Sequence, residues 1–331
     1  MYEGKSIQFL GESMAERCAY IGWSNDSEIR YRATSGGVGT TLVKYAFDKG
    51  LITHTLSFEF DNKTLRYYPV LVDSFSDYKI TASIYQEMDM WPFFFEKMRH
   101  EVVGDGQVLV FCLPCQAVAL RKIAERNAVR VVLIGLTCSS QQDFAATRYL
   151  LKRLGIALNE VSKIQYRGNG WPSGVQITRK KGETIIVPNL DSIWTRIFHS
   201  RLFIPKRCFQ YSDTLNSHAD VSLADPWLSN YIKTETIGKT LVRANTETGK
   251  ALLQACQQDG YLTLETFSNE EIIASQRCTI ERKIGYAANK AFVMRFTKLF
   301  SNPIYRGLVL KTRFGFRLHE RLKAYMEDKA R

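Results

Sequence analysis

The stretch QVLVFCLPCQAVALRKIAERNAVRVVLIGLTCSS, residues 107–140, carries two apolar runs around a helical segment. Runs as continuous as QVLVFCLP (107–114) and VRVVLIGLTC (129–138), bounded by turn residues, read as strands buried on both faces of a parallel sheet. Between them, CQAVALRKIAERNA (115–128) has helical character. The unit therefore has about the length that a right-handed strand–helix–strand crossover requires. Upstream, CAYIGWSND (18–26) reads as a strand and turn. In SGGVGTTLVKYAFDKG (35–50), Val38, Leu42, Tyr45 and Ala46 fall at helical spacing and Gly50 is a natural stop. LITHTLSFEFD (51–61) and LRYYPVLVD (65–73) alternate as strands do, and MDMWPFFFEKMRHEV (88–102) reads as an amphipathic helix interrupted at Pro92. Downstream, DFAATRYLLKRLG (143–155) is helical, and VSKIQYRG, SGVQITRKKG and ETIIVP (161–188) read as antiparallel strands. A helix over 192–203, a buried strand in ADVSLADPW (219–227) and a helix over 246–260 complete the pattern. The fold class is α/β: a mixed sheet with a parallel strand–helix–strand core, plus a C-terminal helical segment.

With 331 residues, 45% of them hydrophobic, the chain can bury one large core or two modest ones. Few prolines and no low-complexity tract predict a globular protein throughout. The first residues lack a basic region followed by an apolar run, and no stretch approaches the roughly 18–20 apolar residues that span a bilayer. The expected location is the cytoplasm. Seven cysteines in such a chain predict no disulfide framework, leaving metal binding, catalysis or burial as their roles. Burial accounts for Cys18, Cys256 and Cys278.

The net charge of +12 is uneven: residues 277–331 hold fourteen Lys and Arg against four acids. This change of character near residue 275 predicts a main unit over 1–275 and a basic helical segment over 276–331. The tail interleaves cations with Phe, Leu, Val and Tyr, which suits a helix pair at an anionic membrane surface, peripheral at its inner face. It equally suits an acidic protein partner or a packed hairpin with a solvated basic face. Nucleic acid is the least favoured partner. No Walker A, G-x-S-x-G or Rossmann glycine motif is present, so hydrolase and nucleoside-triphosphatase readings have no support.

Ligands of open α/β sheets collect at the carboxyl ends of the strands. Cys112, Cys115 and Cys138 stand at two such ends, and Cys208 comes from a distant loop. Four thiolates match the ligand set of a [4Fe–4S] cluster, a C-x-x-C pair suits zinc equally well, and Cys112 and Cys138 could instead fill the sheet as small apolar residues. Thr34-Ser35-Gly36-Gly37-Val38-Gly39-Thr40-Thr41 is a candidate anion cradle at a helix start, or a turn kept for packing, with Arg30 and Arg32 just upstream. The Arg167-Gly168-Asn169-Gly170-Trp171 turn suits a flat, charged ligand or a hairpin packed through Trp171. Asp225, at a strand end, suits a ring or ribose contact or a loop cap.

Together these segments resemble the coenzyme F420 hydrogenase/dehydrogenase beta-subunit family of flavin and iron–sulfur oxidoreductases. Cys112-Leu113-Pro114-Cys115-Gln116 matches the family's glycine-threonine-proline-cysteine-glutamine segment. Cys138-Ser139-Ser140 matches its cysteine-histidine-glycine, and Cys208 to Tyr211 its later C-x-x-C. The family's fourth thiol position is held by Tyr211, while Cys112 is a new thiol. The resemblance covers about Cys18 to Thr248 and lacks the family's N-terminal ferredoxin-like region.

The resemblance implies an oxidoreductase with FAD or FMN and a [4Fe–4S] cluster on Cys112, Cys115, Cys138 and Cys208. It places the flavin against Arg32, Thr34, Ser35, Gly36, Gly37 and Thr40, the turn Leu113, Pro114 and Gln116, then Arg167, Gly168, Trp171 and Asp225. It assigns no catalytic acid or base. The electron donor would be a partner protein or diffusible F420 or NAD(P)H. Short members of the family stand with enzymes of surface-polysaccharide biosynthesis. The alternatives are a cluster-free descendant that binds or modifies a sugar, and a non-catalytic scaffold in a membrane-associated assembly.

Overall fold

The computed structural model describes residues 18–97, 102 and 106–330. The reading of residues 1–17, and part of the helix read over 88–102, lie outside the described residues. From the amino end, β1 (Ala19–Ser24) leads through the short helix α1 (Ser27–Arg32) and the Ser35–Gly37 turn into α2 (Val38–Asp48). A hairpin of β2 (His54–Asp61) and β3 (Arg66–Val72) follows. The opening stretch forms β4 (Gln107–Cys112), α3 (Pro114–Arg126) and β5 (Arg130–Leu136), and α4 (Phe144–Leu154) comes next. β6 (Val161–Gln165), β7 (Gly174–Arg179) and β8 (Thr184–Pro188) pair antiparallel, as their alternation predicts, and form a separate three-stranded sheet before α5 (Ile193–His199). β9 (Val221–Ala224), α6 (Ser229–Thr234), β10 (Thr240–Ala244), α7 (Glu247–Gln258) and β11 (Leu262–Thr266) return the chain to the large sheet. The chain then runs through α8 (Asn269–Ala288), α9 (Lys290–Phe300), α10 (Pro303–Lys311) and α11 (Arg313–Lys329).

The large sheet has the order β11-β1-β10-β9-β5-β4-β2-β3. Its centre, β9-β5-β4-β2, is parallel, and antiparallel strands flank it on both sides. Period-two alternation divides the core between the two faces. Leu109 and Ile134 pack with Val38, Leu42 and Val43 of α2 and Leu253 of α7. Val108, Val110, Cys112 and Leu133 pack with Ala117 and Leu120 of α3.

A third cluster joins the small sheet to the C-terminal helices. Val175, Ile177, Leu150 and Trp194 share it with Tyr286, Val293, Phe300, Val309, Phe316 and Met326. Burial of each large apolar side chain contributes about 1.5–3 kcal/mol. The change of composition near residue 275 thus falls inside α8, and the basic segment turns its apolar side chains into the core. Buried His319 ties α11 down, with Nε2 2.7 Å from the Ser200 carbonyl and Nδ1 3.0 Å from the Tyr305 hydroxyl.

Candidate active site

Because β4, β5 and β9 are parallel, their carboxyl ends open on one edge of the sheet. Leu113 and Pro114 start α3 there, with the Leu113 amide donating to Gln116 Oε1 at 2.8 Å. Cys138 follows β5, and Cys208 arrives on a single 3-10 turn, Lys206–Phe209. Leu113, Pro114, Cys115, Cys138, Cys208 and Tyr211 border one cavity of about 20 Å³, together with Lys283 of α8. The Lys283 ammonium donates to the carbonyls of Cys138 at 3.0 Å and Asp213 at 3.1 Å. Its neighbour Arg282 donates to Ser139 Oγ at 2.8 Å.

Cys112 is not on this cavity. Alternation along β4 aims it with Val108 and Val110 into the core beneath α3. There Asn216 Nδ2 donates to its carbonyl at 2.8 Å and lies 3.8 Å from its sulfur. Burial pushes the Cys112 thiol up to about 12. Burial likewise pushes Cys138 up to about 12, against the opposing charge of Lys283, and raises Cys208.

A second constellation stands at the end of β9. The Arg167 guanidinium, 2% exposed, forms a two-pronged pair with Asp225, Nη1 to Oδ2 at 3.0 Å and Nη2 to Oδ1 at 3.1 Å. The same guanidinium donates to the Thr34 carbonyl at 3.1 Å and to Tyr85 Oη at 3.3 Å. Trp171 Nε1 donates to Asp225 Oδ1 at 2.9 Å, and its buried ring lies 5.2 Å from that of Trp227. Gly168 has φ +93, and a Cβ there would run into the Arg32 carbonyl, so only glycine lets the two loops meet. Arg167, Trp171 and Asp225 therefore bond first to one another. The partly exposed ring is Trp227, over which the guanidinium sits at 5.7 Å.

The Thr34–Thr40 turn adjoins this pair. Thr34 Oγ1 accepts from the Ser83 amide at 2.7 Å. Ser35 Oγ lies 3.0 Å from Thr240 Oγ1, which also accepts from the Gly36 amide at 2.8 Å. Gly37, left-handed at φ +79, starts α2 with no side-chain cap, so the first-turn N–H groups have no side-chain acceptor. Thr40 hydrogen-bonds half-buried Tyr78, whose hydroxyl is pushed up to about 12 chiefly by desolvation of its hydroxyl end. Arg32 sits apart, paired with Glu28 at 2.8 Å on the surface of α1.

Tyr85 links the two constellations. It touches Arg167 and lies within electrostatic reach of Cys138, and burial first, then the charge balance of Arg167, Asp225 and Cys138, leaves its hydroxyl above the usual tyrosine value. Neither Tyr85 nor Lys283 carries a sequence signal: Tyr85 sits in an unpatterned loop, and Lys283 is one of fourteen cations in a basic tail.

The residues fit the two implied groups unequally. Among the described residues, no three Cys, His, Asp or Glu side chains stand together at metal-holding spacing. Three thiols border the cavity, Cys112 is in the core, Tyr211 holds the fourth position, and the space suffices for about one water. A four-thiolate cluster does not fit this donor set. A phosphate-bearing flavin fits better, because the uncapped start of an eleven-residue helix faces the same edge.

Thiols, a buried Arg–Asp pair and an uncapped, buried helix start thus gather at the carboxyl edge of a parallel-cored α/β sheet. The family models for the amino-terminal and carboxyl-terminal parts of the coenzyme F420 hydrogenase/dehydrogenase beta subunit match residues 19–85 and 105–270, respectively. The chain belongs to the coenzyme F420 hydrogenase/dehydrogenase beta-subunit family. It is 24% identical over 258 residues to the F420-dependent formate dehydrogenase subunit beta of Methanocaldococcus jannaschii, covering 75% of this chain and 62% of the relative. It is 24% identical over 254 residues to the F420-dependent formate dehydrogenase 1 subunit beta of Methanococcus maripaludis, covering 73% and 60%. The chain thus spans a little under two thirds of these relatives. A chain from the F420-reducing [NiFe] hydrogenase complex of Methanosarcina barkeri shares the fold, with a TM-score of 0.62 at 18% identity over 84% of this chain and 91% of that one.

Proposed function

We propose that this chain is a flavin-dependent oxidoreductase unit that exchanges electrons with F420 or another soluble donor, and that it works without a four-thiolate cluster at its strand edge. The observation that carries the reading is the uncapped α2 start set against the Arg167–Asp225 pair through Thr34. A flavin, when bound, supplies hydride and single-electron transfer.

The chain's own residues do the remaining work. The α2 start offers N–H groups to a phosphate. Arg167 fixes Asp225, and Asp225 fixes the Trp171 indole, so the floor beneath Trp227 is rigid. Tyr85 keeps its hydroxyl proton at neutral pH while its oxygen accepts from Arg167. Cys115, Cys138 and Cys208 stand as thiols around the small cavity. The substrate class we favour, from the short family members, is an intermediate of surface-polysaccharide assembly.

Anaerobic binding of FMN, FAD and riboflavin tests the reading. FMN or FAD should bind at least tenfold more tightly than riboflavin, since only they carry phosphate for the helix start. Equal binding of riboflavin and FMN would remove the phosphate from α2, and no binding of any flavin would overturn the reading.

A further inference from the structure

The outer faces of α10 and α11 leave large apolar side chains in solvent. Ile304, Leu308, Phe314, Leu318 and Tyr325 are 51–75% exposed. Ile304 and Leu308 are one turn apart on α10, and Phe314, Leu318 and Tyr325 follow one another at i, i+4 and i+11 on α11. At the corner between the helices the backbones come close, for a Cβ on Gly315 would lie 3.0 Å from the Leu308 and Val309 carbonyls, so the Leu308 end of one stripe lies near the Phe314 end of the other. Soluble surfaces scatter such residues singly, and a contiguous set marks an interaction site.

Exposed Lys311, Arg313, Arg317 and Arg321 interleave with this stripe. None of the ion pairs in the described structure uses any of the four, whereas Arg196, Arg201 and Arg306 elsewhere pair with Glu320, Glu327 and Asp143. The inner faces are already committed, with Val309, Phe316, His319 and Met326 buried. The helices also lie beyond the residues that the family models match, so this face is not part of the shared domains.

We infer that this outer face docks on an anionic phospholipid surface, with the four cations at the headgroups and Ile304, Leu308, Phe314 and Leu318 dipping between them. Charge complementarity selects the occupant: long cations that keep their heads in water beside apolar groups are what an interfacial helix pair presents. A protein partner would need an apolar groove rimmed with acids to match both features, whereas an anionic bilayer surface offers headgroup charge and an apolar interior along the whole stripe. Among the described residues no helix is long and apolar enough to cross a membrane, so any attachment through these helices is peripheral. The inference is independent of the flavin reading.

Co-sedimentation of the full chain with vesicles tests it, using phosphatidylcholine alone and phosphatidylcholine mixed with phosphatidylglycerol. Binding should be confined to the mixed vesicles and fade as salt shortens the Debye length to about 8 Å and below. Arg313→Gln with Arg317→Gln should weaken it about 25-fold, at roughly fivefold for each cation near the surface. Phe314→Ser with Leu318→Ser should weaken it at least tenfold, and both pairs alter exposed positions, so thermal unfolding should barely move. No binding to mixed vesicles at low salt would overturn the inference. So would binding that ignores the apolar pair, or a dimer in light scattering that the Phe314→Ser, Leu318→Ser protein loses.

Discussion

At the scale of single residues, the site turns on a charge pair separated by 58 positions in the chain. Asp225 is the only carboxylate that pairs with the buried Arg167 guanidinium among the described residues, and it also holds the Trp171 indole. Asp225→Ala should cost about 3–5 kcal/mol in urea unfolding, because it strands a buried cation. Replacing both, Arg167→Met with Asp225→Leu, should recover part of that loss; no recovery would mean that the pair matters through its other partners. Sequence reading singles out both residues as candidate ligand contacts, one in a Gly-rich turn and one at a strand end. It cannot find that they bond to each other, because nothing local to either residue encodes the other. The thiols teach the converse. Cys112 and Cys115 are neighbours in a motif, yet the pleat of β4 and the start of α3 send them to different places. The alternation that buries Val108 and Val110 already foretold this for Cys112.

At the scale of elements, the apolar runs of β4 and β5 declare a parallel core, and the alternating runs of β6–β8 declare antiparallel strands, though not that these stand as a sheet of their own. Both are visible because burial on two faces and on one face leave different patterns. The C-terminal helices are harder to read, since each carries a buried stripe and an exposed apolar stripe separated by cations. His319 gives them a measurable signature. Its pKa is lowered in the folded protein, first by burial, so the unfolded chain takes up the proton first. Stability should therefore be complete above the unfolded value of about 6.5 and fall as pH drops below it. Denaturant unfolding between pH 7 and 5 should show the loss, and His319→Gln should flatten it. An unchanged slope in that variant would remove His319 from the account.

At the scale of the molecule, the parallel edge gathers what the chain scatters: thiols after β4 and β5, Asp225 after β9, Arg167 from the loop between β6 and β7, and Lys283 from α8. The C-terminal helices belong to this assembly from inside, through Tyr286, Phe300 and Met326 in the largest core. They border the cleft through Lys283, so the basic segment both closes the site and offers its outer face elsewhere. Anaerobic purification of the full chain, with a visible spectrum and iron and sulfide analysis on the same sample, tests the central claim most directly. A flavin unit without a cluster gives a flavin spectrum, in protein as isolated or after FMN or FAD is added, with iron and acid-labile sulfide far below one per chain. About four irons and four sulfides per chain, with the broad absorption of a cubane cluster, would contradict it.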